Sequence, residues 1–181
     1  MSAAAEPAES PIAPEGFPTD RIFGVVPREV LTAEPGLAFL RGMIEGRHPA
    51  PPFARSTGIW LTEADEGRAV FAGLPSEGFF NPIGTIHGGW TAAILDSAMA
   101  CAIHTTLQTG QGYTTVEMKL NFVRPILPDL GELTCEGTVV HRGGTLATSE
   151  GKLFDDKGRL LAHGTETCMI LDMAPRAAKA A

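Results

Sequence analysis

The chain has 181 residues, with 14 Lys and Arg against 21 Asp and Glu, and so carries a formal net charge of −7. An acidic chain with scattered basic residues lacks the clustered Lys and Arg of a nucleic-acid-binding surface. Its length and its 44% hydrophobic residues predict one globular domain with a substantial core.

The N-terminal part of the chain precedes the predicted core. Residues 1–20 are rich in Pro, Ala, Ser and Glu, which predicts a disordered lead. Residues 21–55 predict a short N-terminal helical extension, because apolar side chains recur at helical spacing between Pro35 and Gly46. The sequence His-Pro-Ala-Pro-Pro at 48–52 is expected to break the chain before the core.

Two features bear on the compartment. The first basic residue is Arg21, so the chain does not begin with the positively charged region of a secretory signal. The three cysteines stand singly, with no Cys-x-x-Cys pair, which indicates thiols in a reducing compartment. We therefore expect a cytoplasmic protein.

A β-hairpin is predicted at the start of the core. Residues 57–63 and 68–73 have strand-like patterns and flank the turn sequence Ala-Asp-Glu-Gly at 64–67. Pro75 ends the second strand, because proline cannot donate a hydrogen bond to a sheet ladder.

The next element is an apolar helix that contains one carboxylate. Between Trp90 and Ile103 the only polar side chains are Thr91, Asp96 and Ser97. A helix that is apolar on nearly all sides is expected to be buried, and this one is short for a membrane span of about 20 residues. Because burying an unpartnered carboxylate is costly, Asp96 is either hydrogen-bonded, exposed at a cleft or used in chemistry.

Four strands are predicted after the helix, at 113–122, 133–139, 146–154 and 160–170. In the first of them a period of two places four apolar side chains on one face, namely Val116, Met118, Leu120 and Phe122. One long apolar helix and one antiparallel sheet cover each other only if the sheet curls around the helix. The sequence thus predicts an α+β fold with about six strands.

Three stretches carry a family resemblance, at 81–96 (NPIGTIHGGWTAAILD), 113–119 (YTTVEMK) and 121–125 (NFVRP). Together they resemble the PaaI-type acyl-CoA thioesterases of the hotdog fold, in which a curved antiparallel sheet wraps one long central helix. The resemblance implies a hotdog thioesterase domain at residues 56–172, followed by a short tail at 173–181. It also implies a homodimer, commonly paired into a dimer of dimers, that hydrolyses acyl-CoA to the free acid and CoA without a metal or other cofactor.

The residues themselves suit this chemistry. Thioester hydrolysis needs a nucleophile or an activated water, together with donors that stabilise the oxyanion. Asp96 supplies the carboxylate, either as nucleophile or as general base, and both routes stay open. The backbone N–H groups of Gly88 and Gly89 lie at the positive end of the helix dipole and can polarise a carbonyl.

Further roles follow only from the resemblance. It assigns the key oxyanion donor to the Gly88 N–H, with the Asn81 side chain nearby and with His87 orienting the carbonyl or shaping the loop. Thr115 falls at the family position whose hydroxyl holds water or the carboxylate, and Thr114 is the alternative.

The helix geometry predicts where the active site lies. Eight residues separate Gly88 from Asp96, which places them about 12 Å apart along the helix axis. One carbonyl cannot contact both, since reacting atoms must approach within about 3.5 Å. We therefore expect two antiparallel helices of a two-fold dimer to form composite sites at the subunit interface.

Substrate contacts are less sharply defined by the sequence. CoA carries phosphates, so Arg124 and the Arg142-Gly143 pair are candidates for its binding. Trp90, Leu95 and Met99 line either an acyl pocket or the core. Two other functions stay open, a hotdog acyl-CoA dehydratase or hydratase that uses His87 with Asp96, and a non-catalytic acyl-CoA-binding module. The dehydratase motifs are not recognisable in the chain, and a binding module would not need Asp96.

Overall fold

The computed structural model describes residues 16–18 and 20–173 of the chain. Three short helices come first, α1 (Arg28–Leu31), α2 (Gly36–Ile44) and α3 (Pro52–Thr57), followed by the hairpin strands β1 (Ile59–Asp65) and β2 (Arg68–Gly73). The long helix is α4 (Gly88–His104), and the chain continues through β3 (Gln111–Phe122), β4 (Leu133–Arg142), β5 (Leu146–Phe154) and β6 (Leu160–Asp172). No helix in these ranges is long and apolar enough to cross a bilayer.

The strands form one antiparallel sheet in the order β1-β2-β4-β5-β6-β3. The sheet curves around α4, which confirms the predicted α+β architecture with its two strands, central helix and four further strands. Because β3 follows α4 in the chain but pairs only with β6, it becomes one edge of the described sheet, and β1 becomes the other.

The helix lies unusually close to the sheet. A Cβ at Gly137 of β4 would come within 2.2 Å of the Ala98 carbonyl oxygen, so only glycine fits where the strand backbone touches the helix backbone. The side chains of α4 that face the sheet are completely buried, among them Ile94, Leu95, Ala98, Met99 and Ala102. This packing fixes the axial position of α4 and therefore the position of Asp96.

Strand β3 departs from the predicted pattern at a β-bulge. Its pairing with β6 shifts register between Thr115 and Glu117, which leaves Val116 as the extra residue, and Val116 is 59% exposed. The prediction that Val116 shares one face with Met118 and Leu120 is therefore wrong. The bulge instead lets Thr115 face α4 while Met118 and Leu120 also pack against the core.

The N-terminal extension packs against α4 rather than standing apart. The predicted helix is α2, and a Cβ at Gly36 would come within 1.9 Å of the His104 carbonyl oxygen, so the two helices meet backbone to backbone. Phe39 of α2 stacks between the rings of His48 and His104, with centroid distances of 4.7 and 5.7 Å. The extension thus belongs to the same core as the sheet.

Two N-terminal predictions can be compared with the structure. The predicted break interrupts the helical region between α2 and α3, but its last residue, Pro52, already begins α3, because a missing N–H costs nothing in the first helical turn. The disorder predicted for residues 1–20 does not hold for Phe17, which is 5% exposed and contacts the ring of Trp60 edge-on at 5.3 Å. Most of that lead, and residues 174–181 of the tail, lie outside the described residues.

Candidate active site

Asp96 lies in the middle of α4, on the side that turns away from the most buried face. It is only partly buried, and the Thr115 hydroxyl of β3 lies 3.3 Å from its Oδ1 atom. Burial raises the pKa of Asp96 above its ordinary value, and the hydrogen bond from Thr115 acts in the opposite direction. The structure thus brings together two of the predicted site residues, Asp96 and Thr115.

A second carboxyl group, that of Glu166 on β6, lies at the same hydroxyl. Its Oε1 atom is 2.7 Å from Thr115 Oγ1, and the Cys168 thiol donates to the same oxygen at 3.1 Å. Glu166 is completely buried, and burial raises its pKa to about 7, while the hydrogen bonds from Thr115 and Cys168 act in the opposite direction. Its other oxygen, Oε2, has no hydrogen-bond partner among the described residues.

Sequence reasoning missed Glu166, although a signal was present. The strand alternation of β6 places Glu166 on the same face as Gly164, Cys168 and Ile170, all of which point inward. A carboxylate at an inward position of a strand is as unusual as one in an apolar helix. The signal at Glu166 is weaker than that at Asp96, because β6 has polar residues on both sides of Glu166 whereas the helix around Asp96 is mostly apolar.

The loop before α4 is held by its own side chains. The side-chain oxygen Oδ1 of Asn81 accepts from the backbone N–H groups of Ile83 and Thr85, at 3.1 and 3.2 Å, and its side-chain amide donates to the Thr85 hydroxyl at 2.7 Å. His87 caps α4, with its Nδ1 accepting from the Gly89 N–H at 2.9 Å. These contacts occupy the Asn81 side chain, one His87 nitrogen and the Gly89 donor in shaping the loop.

Gly88 is left with an available donor. No hydrogen bond of the described residues uses its backbone N–H, and the glycine lines a surface pocket together with Thr91, Phe122 and Arg124. The positive end of the α4 dipole and an arginine therefore meet at one surface. Such a surface suits a developing oxyanion and the phosphates of a ligand.

An apolar cavity of about 180 Å³ opens beside Asp96. It lies where the N-terminal extension closes over α4, between the two edges of the curved sheet. Its wall includes side chains of α2, α3, β1, β3 and α4, among them Leu40, Met43, Phe53, Ile59, Asp96 and Tyr113. Asp96 is the carboxylate in an otherwise mostly apolar lining.

The remaining predicted residues lie elsewhere. Arg142 binds the Thr106 hydroxyl and the Gln111 side chain beyond the C-terminal end of α4, and Gly143 forms the adjacent turn. Thr114 is exposed on the sheet face opposite Thr115. Of the two alternatives for Trp90, Leu95 and Met99, the structure supports core packing, since all three are buried within the main core cluster.

The chain is similar to known thioesterases in sequence and in structure. Residues 83–162 match the thioesterase superfamily. Human acyl-coenzyme A thioesterase 13 is 32% identical over 131 residues, which cover 71% of this chain and 91% of the human protein. A phenylacetic acid degradation-related protein of Ralstonia eutropha JMP134 is 30% identical, with a TM-score of 0.66 over 72% of this chain and 98% of that protein.

A more distant structure shows the same fold. The PaaI protein of the phenylacetic acid degradation operon of E. coli superposes with a TM-score of 0.64 at 19% identity, covering 77% of this chain and 96% of that protein. These neighbours confirm the hotdog fold and the PaaI-type resemblance predicted from the sequence.

Proposed function

This chain belongs to the thioesterase superfamily and is a thioester hydrolase, and we propose that it hydrolyses acyl-CoA thioesters to the free acid and CoA with Asp96 as the reacting carboxylate. The observation that carries the proposal is the position of Asp96. Its Oδ1 atom is held by Thr115, while the group forms part of the wall of the apolar cavity. An acyl chain in the cavity would bring its thioester carbonyl to this carboxylate.

Asp96 can act by either of two routes. As a nucleophile, it forms a bond from Oδ2 to the carbonyl carbon, the carbon–sulfur bond breaks, and water then cleaves the mixed anhydride. As a general base, it takes a proton from water while the water oxygen bonds to the carbonyl carbon; the carbon–sulfur bond then breaks, and the leaving thiolate takes that proton. The raised pKa of Asp96 suits both routes, because a more basic carboxylate is both a better proton acceptor and a better nucleophile.

The oxyanion donor in this proposal is the N–H of Gly88 of the partner subunit. Within one chain Gly88 and Asp96 line different pockets and are separated by eight residues of the same helix, about 12 Å along its axis. A two-fold axis reverses one copy of α4 relative to the other and so brings the start of one helix toward the middle of the other.

The free edge of β3 supports such a dimer. It is a 12-residue strand with no neighbour on its outer side in the described sheet, and Val116 and Phe122 on it are well exposed. A long edge of this kind is prone to pair with another chain, and antiparallel pairing of β3 with its own copy closes a two-fold dimer.

The acyl group is proposed to occupy the apolar cavity. A cavity of about 150 Å³ is large enough to bind benzene, so one of about 180 Å³ accommodates a single ring or a short aliphatic chain. The CoA portion would lie toward the surface that holds Arg124, at the start of the partner helix.

A thiol-release assay tests the proposal. Acyl-CoAs with acetyl, hexanoyl, phenylacetyl and palmitoyl groups are incubated with the protein and a thiol reagent, and the assay is repeated with Asp96→Ala. We expect thiol release by the unmodified protein that falls by at least about 10³-fold in the variant.

The same samples separate the alternative functions. Hydration of an enoyl-CoA without thiol release would identify a hydratase, and acyl-CoA binding with neither reaction would identify a binding module. The loop argues against the hydratase, because His87 caps its own helix and lies nine residues before Asp96.

A further inference from the structure

We infer that Glu166 is a positioning residue for Asp96, a neutral carboxylic acid that donates a hydrogen bond to the Thr115 hydroxyl, which in turn donates to the Asp96 carboxylate. The inference rests on the proposed function, because it assigns Glu166 a part in the same reaction. It defines a directed series of hydrogen bonds from β6 through β3 to α4, in which Glu166 donates, Thr115 accepts and donates, and Asp96 accepts.

The Thr115 hydroxyl has too few protons to serve two ionised carboxyl groups. This hydroxyl has a single proton, yet it lies 2.7 Å from Glu166 Oε1 and 3.3 Å from Asp96 Oδ1. If both carboxyl groups were ionised, the hydroxyl could donate to only one, and two anions would face each other across one oxygen. A proton on one carboxyl group gives both contacts of the Thr115 hydroxyl a donor and an acceptor.

The burial of the two acids shows which one holds the proton. Glu166 is completely buried, whereas Asp96 is only partly buried and borders the cavity. The desolvation cost of an anion is therefore greater at Glu166. The pKa of about 7 that burial gives Glu166 is consistent with this assignment.

The neighbours of Glu166 only partly offset the cost of burying its anion, since the hydrogen bonds from Thr115 and Cys168 oppose a larger effect of burial. Its polar neighbours include the Cys168 thiol on its own strand, Thr115 on β3, Ser149 opposite on β5 and the Asp96 carboxylate on α4. Cys101 on α4 and Tyr113 on β3 also interact with it electrostatically, and burial raises the pKa of both, so neither is charged at neutral pH. No Lys, Arg or His of the described chain forms an ion pair with it. Asp96 is thus the charged group that acts on Glu166, and its charge favours the protonated acid.

The chain of hydrogen bonds has a consequence for Asp96. With Oδ1 fixed by Thr115, the other oxygen, Oδ2, has no hydrogen-bond partner among the described residues and is available to react. When Glu166 loses its proton, Thr115 is drawn to the new anion, and Asp96 loses its donor. We therefore expect the rate to fall on the alkaline side as Glu166 ionises.

Three variants of Glu166 and Thr115 test this series of hydrogen bonds, with the rate of thiol release as the measurement. Glu166→Leu removes the neutral donor that orients the Thr115 hydroxyl and should lower kcat by about 3- to 10-fold with KM changed less than about threefold, the range for losing a hydrogen bond between uncharged groups. Glu166→Gln keeps a neutral donor, so it should rescue most of kcat and abolish the alkaline decline near pH 7. Thr115→Val should resemble Glu166→Leu.

The kinetic results can contradict the inference in two ways. If Glu166→Gln were as impaired as Glu166→Leu, the carboxyl group itself would be required, as a charge or as a proton carrier. If Glu166→Leu retained the alkaline decline, Glu166 would not be its source. Circular dichroism of each variant separates these results from loss of the fold.

A carbon-13 NMR titration of the side-chain carboxyl groups provides a test that does not depend on activity. Glu166 should keep its proton well above pH 4.5, and Asp96→Asn should shift its titration to lower pH by removing a neighbouring anion. A Glu166 that titrates near 4.5 would overturn the inference even if thiol release is observed. A Glu166 that titrates as expected in a protein without thiol release would leave the hydrogen-bond chain intact and reject the proposed reaction.

Discussion

The middle and the start of α4 contrast sharply in what they offer a substrate. The middle presents the partly buried carboxylate of Asp96, which is hydrogen-bonded to Thr115 and through it linked to the buried Glu166, beside an apolar cavity. The start presents an open backbone donor at Gly88, next to Arg124, on a surface pocket. The middle of α4 thus supplies a partly buried carboxylate, and the start of α4 supplies a positive electrostatic potential.

Neither region alone has both groups that thioester hydrolysis needs, a carboxylate and an oxyanion donor. The carboxylate region has no oxyanion donor assigned to it, and the Gly88 region has no carboxylate among its lining residues. The helix separates the two by about 12 Å, too far for one thioester. A second copy of the chain, reversed by a two-fold axis, would complete both.

The role of Gly88 as a hydrogen-bond donor is tested by removing its backbone N–H. Gly88→Pro eliminates the N–H at the first position of α4, where proline is tolerated, and the φ of −61° and ψ of 137° at His87 suit a residue before proline. We expect kcat to fall by about 10²- to 10³-fold, the cost of losing one oxyanion donor. Kinetics by thiol release measures the effect.

Gly88→Ala is the matched control. It keeps the N–H and adds a Cβ 3.4 Å from the exposed ring of Phe122, which can move, so kcat should stay within a few-fold. Equal losses in the two variants would show that the shape of the loop, rather than its donor, matters.

The middle of the helix is tested by the pH dependence of stability. Between about pH 4.5 and 7 the unfolded chain releases the Glu166 proton and the folded chain keeps it, so the folded state loses stability as the pH rises. Glu166→Gln does not titrate. Its free energy of unfolding relative to the unmodified protein should therefore rise by about 3 kcal/mol from pH 4 to pH 8.

Urea unfolding at several pH values provides this measurement. The buried His104, whose pKa burial lowers to about 4, destabilises the fold as the pH falls, but it is present in both proteins and cancels in the difference. A difference that does not change with pH would mean that Glu166 titrates normally in the folded protein.

The cavity beside Asp96 is tested by changing its volume. Met43→Ala enlarges it, so the ratio of kcat/KM for octanoyl-CoA to that for hexanoyl-CoA should rise by about tenfold, the scale of a methylene contact in a pocket. Met169→Ala makes the same change on the exposed face of β6 and should leave the ratio unaltered. An unchanged ratio in Met43→Ala would place the acyl group elsewhere.

The smallest effect is expected at the arginines. Arg124 shares a pocket with Gly88, whereas Arg142 is hydrogen-bonded at the other end of α4. Arg124→Gln should raise KM for acyl-CoA by about three- to tenfold, less so at high salt, with kcat unchanged. Arg142→Gln should have less effect, and the reverse order would move the CoA site to the far end of the helix.

The structural features that could be predicted from the sequence are those determined by residues close together in the chain. The apolar helix with its single carboxylate, the hairpin turns and the helical spacing in α2 all depend on residues close in the chain. The bulge at Val116 could not be predicted from the sequence, because it arises from the register between β3 and β6. Without the bulge, a uniform period of two would place the Thr115 side chain on the face away from α4. Glu166 and Thr115 are 51 residues apart and meet only through that pairing.

Subunit complementation tests the composite site most directly. Asp96→Asn and Gly88→Pro subunits are co-expressed with different affinity tags, and the heterodimer is purified and assayed for thiol release. We expect each homodimer to be nearly inactive. The heterodimer should recover about half of the unmodified activity, because one of its two composite sites has both an intact Gly88 and an intact Asp96. A heterodimer no more active than its parents would contradict a site shared between subunits.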